Sequence, residues 1–487
     1  MAKIQSVKFN FVMNSILTVS AMIFPVITYP YVTSILGPQG IGTVSFANSV
    51  VTYFSMFAQL GIPTYGIRAC AKVRDDRQEL SRVTQEILLI NLITCVLSYL
   101  AFFITVQAVP QLREEKTLYV VMSAMILFNS IGAEWLYKAM EQYRYITLRS
   151  VLFKFIALVG MFLLIRGDGD YVIYGGIIIF ASVGSNLLNL INLRWLVDLK
   201  PVGDYNFRRH LRPIFVFFAM SIATTVYTNM DNVMLGFLKG TTENGYYDAA
   251  VKIKNILVGV VASLGTVLLP RVSYYVERGE REAFAKVTER ALRFVFLISM
   301  PLCVYFILFA SPSIYLLSGK AFEASILPMQ LIMPTLVLIG LTNIMGIQIL
   351  VPTGREKQVL YSEIVGAGVN IVANSMLIPQ MGAAGAAIGT VLAEISVLVV
   401  QMTALRGEIL PAMGKIPYLK TAVALAGAMA AVWWLLGSGL RPLVVLPVSA
   451  VLFFSAYGVL LLLMGERMVR EIWSQVWEKT VGKVLKR

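Results

Sequence analysis

Apolar runs of bilayer-crossing length, separated by short polar connections, recur from near the start of the chain almost to its end. A helix needs about 20 mostly apolar residues to cross a membrane. That measure predicts about fourteen spans, over residues 10–35, 41–66, 84–109, 117–140, 147–166, 171–197, 211–238, 244–270, 289–310, 325–351, 359–380, 383–406, 418–437 and 441–464. The expected fold is all-α, a polytopic integral membrane protein. Beyond Gly465 the pattern changes. Met468, Ile472, Val476 and Val484 alternate there with Arg470, Lys479 and Lys483, which predicts an amphipathic helix lying on the membrane surface. The first apolar run, Phe11 to Leu36, is too long for the core of a cleaved signal and is expected to be an uncleaved first helix.

Composition agrees: 57% of the 487 residues are hydrophobic and 14% charged, against about 45–50% and about 25% in soluble domains. The formal charge of +14 suggests nucleic acid, an anionic substrate or membrane topology, and the location of the charges separates these. With the N-terminus placed in the cytoplasm, the inner connections hold Arg68, Lys72, Arg74, Arg77 and Arg82, then Lys138, Arg144, Arg149 and Lys154, with similar clusters at 194–212, 271–293, 355–357 and 406–420. The outer turns hold only Arg113, Lys116, Arg166, Lys239, Lys320 and Arg441. Cytoplasmic enrichment of Lys and Arg is the orientation signal of membrane proteins. Most of the charge is therefore topology, no nucleic-acid partner is expected, and both termini are expected in the cytoplasm. No connection is long enough for a soluble catalytic domain. Cys70, Cys95 and Cys303 lie in or beside apolar runs without a CxxC pair, and His210 is the one histidine; they read as small buried groups and a loop residue, not a metal site.

A weak repeat links LGPQGIGTVSFA (36–47) with LKGTTENGYYDAA (238–250), aligning Gly42 with Gly245 and Ala47 with Ala250; Pro63 and Pro270 correspond farther on. Such a repeat predicts two six-helix halves in the same orientation, a known transporter plan. The expected organisation is an N-terminal lobe over 1–200, a C-terminal lobe over 201–410, an appended helix pair over 411–465 and a tail over 466–487. Pro25 and Pro30 in the first span, and Pro328 and Pro334 in the tenth, remove backbone donors and can kink their helices.

Several blocks occur in a family order: FPVITYPYVTSILGPQGIG (24–42), NSVVTYFSMFAQLGIPTYGIR (48–68), EWLYKAMEQYRYITLRS (134–150), YTNMDNVMLG (227–236), NGYYDAAVKIKN (244–255), LLPRVSYY (268–275) and GAAGAAIGTVLAE (382–394). Together they resemble the polysaccharide-biosynthesis flippases, the Wzx or O-antigen type within the MATE-like MOP superfamily. The resemblance implies two lobes around a central cavity and a polyprenyl-diphosphate-linked oligosaccharide as cargo. It also implies a place in the bacterial cytoplasmic membrane, beside the enzymes that assemble the polysaccharide.

Charges at bilayer depth cost about 2.5–3.5 kcal/mol on insertion scales and mark cavities or partners. Glu134, Lys138 and Glu141 sit at i, i+4 and i+7, predicting one shared helical face. Asp231 in span seven and Lys252 in span eight lie at similar distances from their connecting turn, so an ion pair or a shared polar pocket is expected; Asp248 and Lys254 lie nearby. Glu394 stands mid-span in span twelve, and Arg271 follows Pro270 at the inner end of span eight. A diphosphate needs cationic donors. The candidate cargo-binding residues are therefore Lys252, Lys254, Arg271 and Lys138, and the candidate proton- or ion-coupling residues are Asp231, Glu394 and Glu134. No cofactor is expected.

The leading functional expectation is a flippase working by alternating access. The chain has no GxxxxGK[ST] motif, so direct use of ATP is not expected. A cation-coupled drug antiporter of the same superfamily would need a cavity dominated by carboxylates. A membrane polysaccharide polymerase would need catalytic groups in a sizeable outer loop, and the short outer turns oppose it; no enzymatic activity is expected.

Overall fold

The computed structural model describes residues 6–266, 274–275, 278 and 280–480. These residues are helical nearly throughout and contain no strand. Among the described residues, ten helices are long and apolar enough to cross a membrane, and an eleventh candidate is a bent pair, Lys320–Ile332 with Thr335–Leu350. The chain is a multi-pass membrane protein of all-α class. The count is consistent with fourteen crossings, because two predicted spans share the 64-residue stretch Phe9–Lys72. Gly37 breaks that stretch with φ 63° and ψ −176°, a conformation that glycine alone adopts readily. Two more predicted spans fall on the shorter apolar stretch Lys116–Ile131 and on helix Thr241–Thr266, whose Glu243, Asp248, Lys252 and Lys254 dilute its apolar run. The tenth span bends by 46° at Pro334, where the proline was expected to act.

The helices turn apolar stripes outward and place polar side chains among the apolar ones where they meet. Helix Arg77–Ala108 exposes Leu89, Leu92, Ile93, Val96, Leu97, Leu100 and Ile104 along one stripe and buries Asn91, Cys95 and Ser98. Asn91 donates to the Ser130 carbonyl at 2.7 Å, Thr94 to that of Ala58 at 2.6 Å and Ser98 to that of Phe54 at 2.6 Å. Lipid solvates leucine as well as a protein core does, so interhelical hydrogen bonds and close packing must join such helices.

The chain forms two compact units, Met1–Asp248 and Ala249–Arg487. In the first, Ile62, Leu80, Ile87, Trp135, Leu136 and Ile214 form a buried cluster. In the second, one cluster gathers around Phe296, Leu341, Met345 and Leu405, and another around Phe309, Phe453 and Tyr457.

Within the first unit, the two glycines aligned by the repeat face one another. A Cβ on Gly42 would lie 1.7 Å from the Thr241 carbonyl oxygen, and one on Gly245 would lie 1.9 Å from that of Pro38. Asn244 donates to the Gly42 carbonyl at 3.0 Å and ties the same contact. Backbone meets backbone here, so no side chain can move aside.

A second tie in this unit anchors the connection after residue 197. Glu86 is fully buried and accepts from the Asn206 backbone N–H at 2.5 Å and from Arg209 at 2.6 Å. His210 Nε2 lies 2.5 Å from Glu86 Oε2, and His210 Nδ1 lies 2.7 Å from the Tyr65 hydroxyl. The single histidine, expected in a loop, is instead buried in helix Arg208–Leu238. The carboxylate of Glu86 supplies the acceptor that makes its burial tolerable.

Gly42→Ala or Gly245→Ala should each lower stability by about 3 kcal/mol, the upper part of the range for overpacking, read as a lowered denaturation midpoint in detergent. Glu86→Ala should cost about 3 kcal/mol because it strips the acceptor from the buried His210 ring and from the Asn206 N–H; an unchanged midpoint would show that the tie contributes nothing.

Candidate functional site

Two breaks in helical regularity frame one buried charge. The fourth predicted span is not a single helix but the pieces Lys116–Met122, Ala124–Ile131 and Glu134–Ala139. Ala133 joins the last two at φ 42° while buried. Across from it, residues Phe180–Gly184 form one π-helical turn between helices Tyr171–Ile179 and Asn186–Asn192. A Cβ on Gly132 would lie 2.5 Å from that of Asn186, so the two irregular segments press together. Non-glycine residues at positive φ and π-turns both concentrate at functional sites.

Beside both lies helix Tyr143–Leu164, which carries Arg149, only 4% exposed. Arg149 donates to Ser185 Oγ at 2.5 Å, to Asn186 Oδ1 at 3.1 Å and to Glu134 Oε2 at 2.8 Å. Its Nε is buried with no hydrogen-bond partner among the described residues. The second carboxylate oxygen of Glu134 meets Lys138 Nζ at 2.8 Å, one turn along the same short helix. Glu134 is thus shared by two cations. One is sealed in protein; the other, Lys138, keeps a side chain 36% exposed. Farther along the neighbouring helix, Lys154 Nζ donates to Ser20 Oγ at 3.0 Å.

Glu141 does not continue the expected stripe. The short helix ends at Ala139, and Glu141 takes φ 55° as the chain turns into the next helix. Its carboxylate swings away to Arg74 at 2.8 Å and accepts from Asn10 at 3.2 Å. The i+7 spacing failed because it presumed an unbroken helix.

Two further buried carboxylates of the first unit hold hydroxyl donors. Asp248 accepts from Tyr29 and from Ser45, both at 2.9 Å. Tyr29 and Ser45 flank the Gly37 break, so that break brings two donors from one stretch of chain onto one carboxylate. Asp231, 6% exposed on helix Arg208–Leu238, accepts from the Tyr247 hydroxyl at 2.5 Å. Lys252 and Lys254 lie half-buried on helix Thr241–Thr266 in the second unit. The expected Asp231–Lys252 pairing would join different units and stays a proposal. Glu394 is buried on helix Ala383–Ala404 in the second unit, and Arg271 falls outside the described residues.

Of the seven residues singled out in the sequence, the structure brings Glu134 and Lys138 together. It adds Arg149, Ser185, Asn186 and Ser45, which the sequence did not single out for a site, and it places the Tyr29 hydroxyl on Asp248. Arg149 resembled an ordinary inner-boundary arginine, and its one signal was membership in the block at 134–150. Tyr29 lies in the block at 24–42 and Ser45 in the repeat at 36–47, but hydroxyl residues are frequent in apolar helices and neither signal pointed to a carboxylate.

Comparison with known proteins places this geometry. Residues 7–276 match the polysaccharide biosynthesis protein family, and residues 217–376 match the MatE family. The chain is 22% identical over 356 residues to an Escherichia coli (strain K12) protein described as "Putative O-antigen transporter", covering 72% of this chain and 85% of that one. It is also 22% identical to a Shigella dysenteriae protein of the same description, covering 79% and 96%. In fold it is similar to the lipid II flippase MurJ in an inward closed conformation, with TM-score 0.75 at 15% identity over 94% of this chain and 100% of that one. An inward-facing MATE family multidrug resistance transporter follows at TM-score 0.58 and 16% identity, over 83% and 99%. Since the first of these matches spans more than half of its residues, the chain belongs to the polysaccharide biosynthesis protein family.

Proposed function

We propose that this protein is a flippase that moves a polyprenyl-diphosphate-linked oligosaccharide across the bacterial cytoplasmic membrane by alternating access, for export of cell-surface polysaccharide. Its family, the description of its two enterobacterial relatives and its flippase-like fold support the reading. So does the charge asymmetry of the connections, which favours both termini in the cytoplasm. Transport, not catalysis, is the activity, and the polysaccharide assembly enzymes are the partners that supply the cargo. The two-lobe plan, with spans 1–6 and 7–12 as halves, belongs to the same proposal.

The observation that carries it is the sharing of Glu134 between Lys138 and Arg149. A charge in a low-dielectric site must keep a partner. When a diphosphate takes Lys138, Glu134 still has Arg149, so the carboxylate is never stranded. Lys138 can therefore be lent to a passing anion at small cost, which suits a site that must bind and then release. Lys252, Lys254 and Arg271 are further donors for diphosphate or sugar in this scheme. Asp231 and Glu394 are candidates for the proton or ion that drives the cycle.

A second reading, a cation-coupled drug antiporter, is favoured by one observation: the buried carboxylates Asp231 and Asp248 within a chain that partly matches the MatE family. Such a protein would extrude cationic dyes.

In proteoliposomes with a defined polyprenyl-diphosphate oligosaccharide, wild-type protein should translocate the lipid. Lys138→Ala and Lys252→Ala should each slow it about tenfold or more, the worth of one charge-assisted hydrogen bond. Asp231→Asn should lower the rate and its dependence on an ion gradient. Folded variants that all run at the wild-type rate would refute the site assignment; wild-type protein that extrudes dyes and moves no lipid-linked glycan would refute the function. Arg149→Ala should separate from Lys138→Ala in stability, losing about 3 kcal/mol as a buried pair is broken, whereas Lys138→Ala should leave the denaturation midpoint within about 1 kcal/mol of wild type.

A further inference from the structure

We propose that the second unit carries a binding site for the headgroup of an anionic membrane phospholipid, in a cleft between helix Arg281–Leu308 and the terminal helix Arg467–Thr480. The cleft has a volume of about 390 Å³. Lys286, Glu289, Arg290 and Arg293 line it from the first helix, and Arg467, Met468 and Glu471 from the second. Four cations thus face two carboxylates.

Those carboxylates are already engaged. Glu289 pairs with Lys415 at 2.8 Å and Glu471 with Arg290 at 2.7 Å. The neighbouring Glu466, fully buried, pairs with Arg293 and accepts from the Val469 N–H at 2.7 Å, which caps the terminal helix. That helix is therefore pinned against the bundle by ion pairs at both Glu466 and Glu471. Lys286 and Arg467 remain, one on each wall, exposed and in no ion pair among the described residues. Two cations held across a cleft by a pinned helix form a receptor for one phosphate group.

Depth identifies the source of that phosphate. Helix Pro442–Leu463 ends four residues before Arg467, and Gly465 at φ 68° turns the chain. Lys420 Nζ sits 2.8 Å from the Met464 carbonyl, capping the span where it ends. On the other wall, the cations precede the apolar run that starts beyond Arg293. Trp473 is exposed on the terminal helix and Tyr418 at the start of the helix carrying Lys420, as expected of aromatic residues at a membrane interface. The cleft therefore stands where two spans leave the hydrocarbon. A phospholipid there can seat its phosphate between Lys286 and Arg467 while its acyl chains stay in the bilayer; a soluble anion gains nothing from that position. Basic residues near an anionic membrane surface are a known recognition device. This site does not depend on which cargo the protein moves, so its failure would leave the flippase proposal standing.

The test is retention of phosphatidylglycerol or cardiolipin by the purified full-length protein, counted by native mass spectrometry and by titration into delipidated protein. Wild type should retain the anionic lipids over phosphatidylcholine. The double variant Lys286→Gln with Arg467→Gln should bind them about 25-fold more weakly, roughly fivefold for each charge removed. The charge-keeping pair Lys286→Arg with Arg467→Lys should restore retention, and Lys239→Gln, remote in sequence and in the first unit, should leave it unchanged. Equal retention of phosphatidylcholine, wild-type retention by the Gln double variant, or displacement of the lipid by inorganic phosphate at matched concentration would overturn the proposal.

Discussion

Hydrocarbon offers a polar group no partner, and the rest of this structure follows from that constraint. Glu86, Arg149, Asp231 and Asp248 are each held by named donors or counter-ions, and two of these clusters form where helices are broken. The Gly37 turn folds Tyr29 and Ser45 onto Asp248. The break at Ala133 and the π-turn at 180–184 close around Arg149. Regular helices satisfy their own backbones and present apolar faces to lipid. Irregular ones supply the local geometry in which carboxylates, hydroxyls and guanidinium groups can meet.

The same constraint separates ties that hold the protein together from groups available for work. Glu86, with Arg209, His210 and the Asn206 N–H around it, is saturated and sealed. Glu134 is doubly paired too, but its own side chain is 35% exposed, whereas that of Glu86 is fully buried. That difference in exposure, more than any difference in residue type, distinguishes a structural ion pair from one that can exchange a partner with an anion. Close backbone packing does comparable work without charge: Gly42 and Gly245 approach so nearly that only glycine fits at either position.

Length and polarity along the chain were enough to anticipate the helices and the kink at Pro334, because each follows from local chemistry: apolar run length and a missing backbone donor. The face shared by Glu134 and Lys138 was legible for the same reason, being one turn of helix. Glu141 was misjudged because spacing arguments assume a continuous helix, and the chain turns just before it. Arg149 looked like a boundary cation because burial is a property of neighbours 15 or more residues away, here Glu134, Ser185 and Asn186. The buried His210 escaped for the same cause, since Glu86 lies 124 positions from it.

The sequence by itself determined that this protein lives in a membrane, roughly where it crosses and which residues carry charge into the apolar zone, since transfer free energy is a sum over local composition. Only the tertiary structure decided which of those charges are paired, which are sealed and which stay accessible. Those outcomes depend on distances of a few ångströms between helices far apart in the chain, and no local pattern encodes them.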